Sequence, residues 1–230
     1  MDQEQPGPVE SPAEEAAYAR AREQMVRTQL TARHLSDPRL LQAMARVPRH
    51  RFVPPAVRDD AYADRALPIG LGQTISQPYM VATMVAALHL QGHEKVLDVG
   101  CGSGYQAAIL GLLAREVIGV ERVVELVVRA RRVLRDLEYT NVRVVEADGS
   151  LGYPPEAPFE AIVVGAGAPD VPQPLVDQLA DGGRLVVPVG DRRLQRLEIV
   201  GRRGDQIIRH TGIDCVFVPL IGERGWTSGA

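Results

Sequence analysis

The sequence predicts an α/β fold with a mostly parallel, doubly wound sheet, and three observations carry that reading. Apolar runs at 96–99, 117–120, 142–145, 159–164 and 184–189 alternate with segments of helical periodicity, the pattern of parallel strands joined by crossover helices. The run Val96-Leu97-Asp98-Val99-Gly100-Cys101-Gly102-Ser103-Gly104-Tyr105 reads as a strand, a glycine loop and a helix start, and the next run, Val117-Ile118-Gly119-Val120, ends in the carboxylate Glu121. After residue 194 the apolar stretches lie too close together to hold helices between them, so antiparallel strands are expected at one edge of the sheet.

In chain order, residues 1–13, with Pro6, Gly7, Pro8 and Pro12 and few apolar side chains, are expected to be a disordered tail. A helix is expected from about Glu14 to Ala32. Ser36-Asp37-Pro38 signals another: a capping side chain, then a proline whose missing N–H costs nothing in a first turn. Its stripe is Leu40, Leu41, Met44 and Val47, and Pro48 ends it. Residues 49–72 are proline-punctuated and irregular, and a loop of that length inside a compact domain is often functional. Gln73-Thr74-Ile75-Ser76-Gln77-Pro78 then leads into a helix with the stripe Met80, Met84, Ala87 and Leu88. Residues 14–92 thus read as an N-terminal helical cover with its loop, and 93–230 as the α/β part, in one compact domain overall.

Beyond Glu121 a helix carries Leu126, Val127, Ala130, Val133, Leu134 and Leu137 on one face and Arg129, Arg131, Arg132 and Arg135 on the other. Val142-Arg143-Val144-Val145 is a strand, followed by Asp148-Gly149 at its end. Phe159 to Val164 is the next strand, Pro172 to Ala180 a helix broken by Gly182-Gly183, and Arg184 to Val189 a fifth strand. Leu194 to Val200, Gln206 to Thr211 and Cys215 to Leu220 should be the antiparallel additions.

Composition excludes several classes of function. The 230 residues are 45% hydrophobic and 24% charged, ordinary for a globular domain. The net charge of −3 and a pI of about 6.0 leave no whole-protein basic footprint for nucleic acid, so the arginine run reads as a solvated helix face. Two cysteines, Cys101 and Cys215, suit a reducing compartment. The first residues lack the charge and apolar core of a signal peptide, and no apolar run is long enough to span a bilayer. A cytoplasmic, monomeric protein without membrane contact is expected. The five histidines are scattered and no Cys-x-x-Cys occurs, so no metal site is expected.

Glycines allow a tight turn and close approach of a ligand to the backbone, but Gly102-x-Gly104-x-x-Ala107 by itself also satisfies the loose dinucleotide pattern. Asp98 discriminates. A pyrophosphate at this turn would meet a like charge at a cost, whereas a ligand with a cationic tail would be attracted. S-adenosyl-L-methionine carries an ammonium and a sulfonium, so Asp98 favours a methyl donor over NAD. Glu121 can accept ribose hydroxyls, and Asp148 an adenine amino hydrogen bond. Each acid alone could be a turn or cap residue; the three together beside this loop make a coherent set. Cys101, between two glycines, reads as a small filler.

These residues resemble the protein-L-isoaspartate (D-aspartate) O-methyltransferases of bacterial type, over roughly residues 25–226. The matching pieces include Val47-Pro48-Arg49-x-x-Phe52-Val53, Ala66-Leu67-Pro68-Ile69-Gly70, Gly72-Gln73-Thr74-Ile75-Ser76-Gln77-Pro78-Tyr79-Met80, the glycine loop with Tyr105-Gln106-Ala107-Ala108, Gly182-Gly183-Arg184-Leu185-Val186 and Phe217-Val218-Pro219-Leu220. The glycine loop is shared by many class I methyltransferases; the Thr-Ile-Ser-Gln-Pro block is far more specific. Two stretches depart from the family pattern: Ser150-Leu151-Gly152-Tyr153, where tryptophan is commoner, and Gly165-Ala166-Gly167-Ala168-Pro169, in place of a Thr-Ala-Ala-type run. The resemblance implies a Rossmann-like class I methyltransferase fold. It also implies methyl transfer from S-adenosyl-L-methionine to the α-carboxylate of L-isoaspartyl residues in damaged proteins and peptides, leaving S-adenosyl-L-homocysteine. A class I methyltransferase acting on a small-molecule carboxylate or other nucleophile is the alternative.

The resemblance marks Ser76 as the catalytic position, and implies cofactor contacts from Gln73, Thr74, Ile75, Ser76, Asp98, Gly100, Gly102, Ser103, Gly104, Glu121, Arg122, Asp148 and Gly149. Chemistry agrees that little else is needed. The acceptor carboxylate has a pKa of roughly 3.5–4 and is ionised without a base. Alignment and partial desolvation remain for the protein. From the residues alone Ser76 reads first as a cap for the helix starting near Pro78; the family block adds the functional role.

Overall fold

Ser11 caps the first helix of the computed structural model of the chain, which describes residues 11–227. Its hydroxyl accepts from the Glu14 N–H at 3.3 Å while its own N–H donates to Glu14 Oε2 at 2.8 Å, a closed capping box. Helix α1 therefore spans Pro12–Met25, two residues earlier than expected, and the tail expected over 1–13 otherwise falls outside the described residues. The helix continues through a π-turn at Val26–Leu30 and a 3-10 turn at Thr31–Arg33, and His34 ends it in the left-handed region at φ 66°. Helix α2 spans Pro38–Arg46, and its cap is Asp37, whose carboxylate accepts from the Arg39 and Leu40 N–H groups.

Residues 49–72 are more ordered than their prolines suggest. Two 3-10 turns, Arg49–Phe52 and Pro55–Asp60, precede a ribbon of β1 (Leu67–Gly70) and β2 (Gln73–Ile75). The strands are antiparallel and the turn runs through Gly70, Leu71 and Gly72, all at positive φ. Strands this short, one holding Pro68, show no alternation in sequence. Helix α3 follows at Pro78–Leu88.

The remaining elements are β3 (Lys95–Val99), α4 (Tyr105–Gly111), β4 (Glu116–Glu121), α5 (Val124–Asp136), β5 (Val142–Glu146), β6 (Phe159–Val164), α6 (Gln173–Asp177), β7 (Leu179–Gly190), β8 (Gln195–Arg203) and β9 (Gln206–Cys215). The sheet order is β5-β4-β3-β6-β7-β8-β9, with the first five strands parallel and the last two antiparallel. Side chains alternate across it. Val96, Val117, Ala161 and Val163 face the cover and α4, whereas Leu97, Val99, Ile118, Val120, Ile162 and Val164 face the layer holding α6. Burial contributes about 1.5–3 kcal/mol for each of these Val, Leu and Ile side chains, so strands buried on both faces hold the sheet.

The cover docks onto the first turn of α4. The guanidinium of Arg49, fully buried, lies 4.8 Å over the Tyr105 ring, and its Nε donates to the Ala61 carbonyl at 2.7 Å. Phe52 meets the same ring edge-on at 5.6 Å. Burial pushes the Tyr105 hydroxyl up to about 12, against the pull of Arg49, so it stays neutral.

Two expectations are corrected. The helix expected over 172–180 is only Gln173–Asp177, and β7 begins at Leu179 with the glycine pair inside it. Leu179 already pairs with Phe159, and the shift to Ala161–Arg184 is taken up at 180–183, where Gly182 has φ 78°. The strand expected over 215–220 is a single bridge between Pro219 and Gly167. Pro219 has no N–H to extend a ladder, and the Phe217 N–H is taken by Gln195 Oε1 at 2.8 Å.

That last bond fixes the C-terminal segment against β8. Gln195→Ala is expected to leave the Phe217 N–H buried without a partner and to cost about 1–3 kcal/mol of stability. A lower denaturant midpoint at unchanged slope is the expected reading, and a wild-type midpoint contradicts it.

Candidate functional site

The strand order reverses between β3 and β6, and a doubly wound sheet offers its crevice beyond the carboxyl ends of the strands at such a point. The glycine loop leaves β3 there. Gly100, Gly102 and Gly104 have φ of 71°, 53° and 87°, a region where side chains are strained. The N–H groups of Gly100 and Cys101 both donate to the Val120 carbonyl, at 2.8 and 3.1 Å, which folds the loop back over the end of β4. Gly104 is tucked against Ala130 and Leu134, where an added Cβ would meet each at 3.3 Å.

Glu121 closes β4 and holds this arrangement. Its Oε2 accepts from the Gly102 N–H at 3.1 Å, and Oε1 from the Arg122 and Val123 N–H groups at 2.8 and 2.9 Å. A carboxylate offers about four acceptor sites, so one remains for a ligand.

Two adjoining lobes of one cleft meet at Thr74, Gly100, Gly102 and Gly165. Gln73, Glu121, Arg122 and Gly149 line the first lobe. Ile75, Ser76 and Ser103 line the second, so β2 and the residues after it face the glycine loop directly. Ser76 does not cap α3: the N-cap is Gln77, and no side chain bonds the first turn. Asp98, Gly104 and Asp148 are not among the lining residues. Asp148 lies two residues past the end of β5 and caps the 3-10 turn Gly149–Leu151. Its Oδ1 accepts from Ser150 N–H and Oγ at 2.9 and 2.7 Å, and its Oδ2 from the Glu223 N–H at 2.8 Å. Partial burial would raise its pKa, but the bonds from Glu223 and Ser150 outweigh burial and hold it below the ordinary value. Gly149 is buried against Val99, where a Cβ would come within 2.6 Å of Cγ1.

Sequence reasoning did not place the segment Val218–Ile221 or Gln106 in the cleft. Val218, Pro219, Leu220 and Ile221 wall the first lobe because the tail runs beside Gly167, and Trp226 pins it by donating its Nε1–H to the Gly167 carbonyl at 3.0 Å. The Phe217-Val218-Pro219-Leu220 run was legible as a motif, but nothing local tied it to the glycine loop. Gln106, in the first turn of α4, lines the second lobe and donates Nε2–H to Asp98 Oδ1 at 2.7 Å.

Asp98 is fully buried beneath the loop because position 98 of β3 faces the same layer as Val96. Its Oδ2 has no hydrogen-bond partner. Burial pushes its pKa up to about 7 from 3.8; Gln106 opposes the rise and the Glu121 charge adds to it. Burial also pushes the Cys101 thiol well above its ordinary value, helped by Asp98 and Glu121, so Cys101 is an inert filler beside Gly119.

The unfolded Asp98 carboxyl ionises near pH 4 while the folded one keeps its proton to about 7. Stability is therefore lost as pH rises across that window and levels off above it, by on the order of 4 kcal/mol. Asp98→Asn is expected to leave stability at pH 4 nearly unchanged and to raise it at pH 8. Equal shifts at both pH values in denaturant titrations would contradict the assignment.

Comparison with known proteins bears on this cleft. The sequence matches the profile of the family "Protein-L-isoaspartate(D-aspartate) O-methyltransferase (PCMT)" over residues 20–225. A protein-L-isoaspartate O-methyltransferase 1 from Syntrophobacter fumaroxidans is 54% identical over 210 residues, 91% of this chain and 98% of that one. A protein-L-isoaspartate O-methyltransferase from Methanoculleus marisnigri is 53% identical over 208 residues, 90% of this chain and 94% of that one. Among solved structures, one from Plasmodium falciparum bearing the same family name, in complex with S-adenosyl-L-homocysteine, superposes with a TM-score of 0.76 at 26% identity, over 87% of this chain and 98% of that one. The fold, the glycine-loop cleft and the matched span converge: the chain belongs to the protein-L-isoaspartate(D-aspartate) O-methyltransferase family.

Proposed function

We propose that this chain repairs damaged proteins by moving a methyl group from S-adenosyl-L-methionine to the α-carboxylate of L-isoaspartyl residues. The observation that carries the reading is the single cleft in which Thr74, Ile75 and Ser76 face the glycine loop. Donor and acceptor must meet in line, and this cleft provides one wall for each.

The residues fit the methyl donor. Asp98 is a buried carboxylate with an unpaired oxygen, suited to the field of an ammonium and unsuited to a phosphate. In our reading the glycine loop, through Gly100, Gly102, Ser103 and Gly104, receives the methionine part. Glu121 takes the ribose hydroxyls with its remaining acceptor site. Arg122, Gly149 and Asp148 frame the adenine. Asp148 has three bonds already, which leaves an acceptor site on Oδ2. Gln73, Thr74, Ile75 and Ser76 close the cleft from above. The donor, when bound, supplies a methyl group already activated on sulfonium sulfur.

What the chain does is bind, orient and exclude water. The acceptor is ionised at neutral pH and needs no base. Ser76, half-buried and free of capping duty, can donate its hydroxyl proton to one carboxylate oxygen and leave the other directed at the methyl group. No ester forms on Ser76. Isoaspartyl proteins and peptides are the partners, with no nucleic acid involved. A monomer acting in the cytoplasm fits the two buried free cysteines and the net charge of −3. Among the described residues no helix is long and apolar enough to cross a membrane.

Incubation with methyl-labelled donor and a matched pair of isoaspartyl and aspartyl peptides is expected to label only the isoaspartyl peptide, as a base-labile ester. Label in neither, or in both equally, overturns the proposal. Ser76→Ala is expected to slow transfer about 10–100-fold, the worth of one hydrogen bond to a charged group, with S-adenosyl-L-homocysteine affinity little changed. Asp98→Ala or Glu121→Ala is expected to weaken that affinity by a similar factor in calorimetry, and unchanged binding in both would remove the cofactor placement.

A further inference from the structure

Gln77 stands between Ser76 and the first residue of α3, yet its side chain serves neither. Its Nε2 crosses to a different segment and donates to the Asp64 carbonyl at 3.1 Å and to Asp64 Oδ1 at 2.8 Å. Asp64 is itself gripped by Arg33, which reaches both carboxylate oxygens. The same guanidinium lies 4.7 Å over the ring of Tyr79, two residues past Gln77. Arg33, Asp64, Gln77 and Tyr79 thus close a circuit around the start of α3. One turn before Arg33, Gln29 Nε2 donates to the Tyr62 carbonyl at 2.8 Å, so the helical run through 33 holds the segment 62–64 at two points.

We propose that Asp64 is a positioning residue for methyl transfer: clamped by Arg33, it holds Gln77 and thereby sets where Ser76 and its neighbours stand over the glycine loop. The inference rests on the reading of residues 74–76 as the acceptor wall. Three features favour a positional role over a merely stabilising one. The Arg33–Asp64 pair is 41% and 30% exposed, and ion pairs of that exposure add little to stability. Gln77 gives up capping of its own helix to make the contact. The contact also joins a loop to the backbone bond next to Ser76, where small displacements act on the reacting geometry. A shift of about 1 Å in such geometry can cost on the order of a hundredfold in rate. Neither Gln77 nor Asp64 lines the first lobe, so cofactor affinity should be insensitive to them.

The test uses the full chain, an isoaspartyl peptide, labelled donor, and calorimetry with S-adenosyl-L-homocysteine. Asp64→Ala is expected to lower kcat about tenfold or more, with S-adenosyl-L-homocysteine affinity and melting temperature nearly unchanged. Asp64→Asn keeps an Oδ1 acceptor for Gln77 but turns an amide donor toward Arg33 in place of Oδ2, and is expected to recover only part of the rate. Gln77→Ala, which loses the bond to the Asp64 carbonyl as well, should be at least as slow as Asp64→Ala, and the double variant should be no slower than Gln77→Ala, because Asp64 acts through Gln77. Wild-type kcat in Asp64→Ala, an Asp64→Asn as slow as Asp64→Ala, additive losses in the double variant, or a loss that follows cofactor affinity each overturn the clamp. The Ser76 reading fails separately. If Ser76→Ala turns over normally while Asp64→Ala is slow, Ser76 loses its role and the clamp stands as positioning for the rest of the loop.

Discussion

The carboxylate of Glu121 gathers three backbone N–H groups, one from the glycine loop and two from its own chain just beyond β4. A charged acceptor makes such bonds roughly twice as strong as neutral ones, and partial burial strengthens them further. Without this knot the loop after β3 would keep its bonds to the Val120 carbonyl and lose its tie to the chain beyond β4. With it, the two central strands end in one rigid rim, and a ligand meets donors and acceptors already in place. The glycines make the bend possible; the glutamate makes it singular.

Around that rim the protein buries two ionisable groups without partners of opposite sign, Arg49 and Asp98. Asp98 lies under the loop with one oxygen unbonded. Arg49 lies across the first turn of α4 with both terminal nitrogens unbonded, stacked on Tyr105. A buried uncompensated charge is among the costlier features a fold can hold. They sit at either side of the segment Gly104-Tyr105-Gln106: Gln106 bonds Asp98, and Tyr105 carries Arg49. The cation docks the cover onto the helix that starts at the glycine loop, and the acid lies beneath that loop. Cover and cleft are thereby one mechanical unit, although their residues are separated by some fifty positions of chain.

The C-terminal segment completes the cleft by a different device. Pro219 prevents it from becoming a strand, and Gln195, Gly167 and Trp226 hold it in place by isolated bonds. Glu223 then donates to Asp148 at 2.8 Å, so the chain end braces the acid after β5. The departure at 165–169 from the commoner family run belongs to this contact, since Gly167 is the residue the tail lies against; a Cβ there would press on Gln195 at 3.0 Å.

The sequence by itself determined the sheet, its parallel core and antiparallel edge, the position of the glycine loop, and the acidic character of what lies around it. Those features are local: apolar alternation, positive-φ glycines and capping side chains such as Asp37 act within a few residues, and so they can be read along the chain. Only the tertiary structure decided the rest. It tied Asp148 to Glu223, released Ser76 from capping, buried Asp98 beneath the glycine loop, and brought residues 218–221 to the wall. None of these has a local signal, because each is set by a partner far along the chain: Glu223 for Asp148, Gln106 and the cover layer for Asp98, Gly167 for the tail. Pattern places the elements, and the competition of each buried polar group for a distant partner settles what each side chain is free to do.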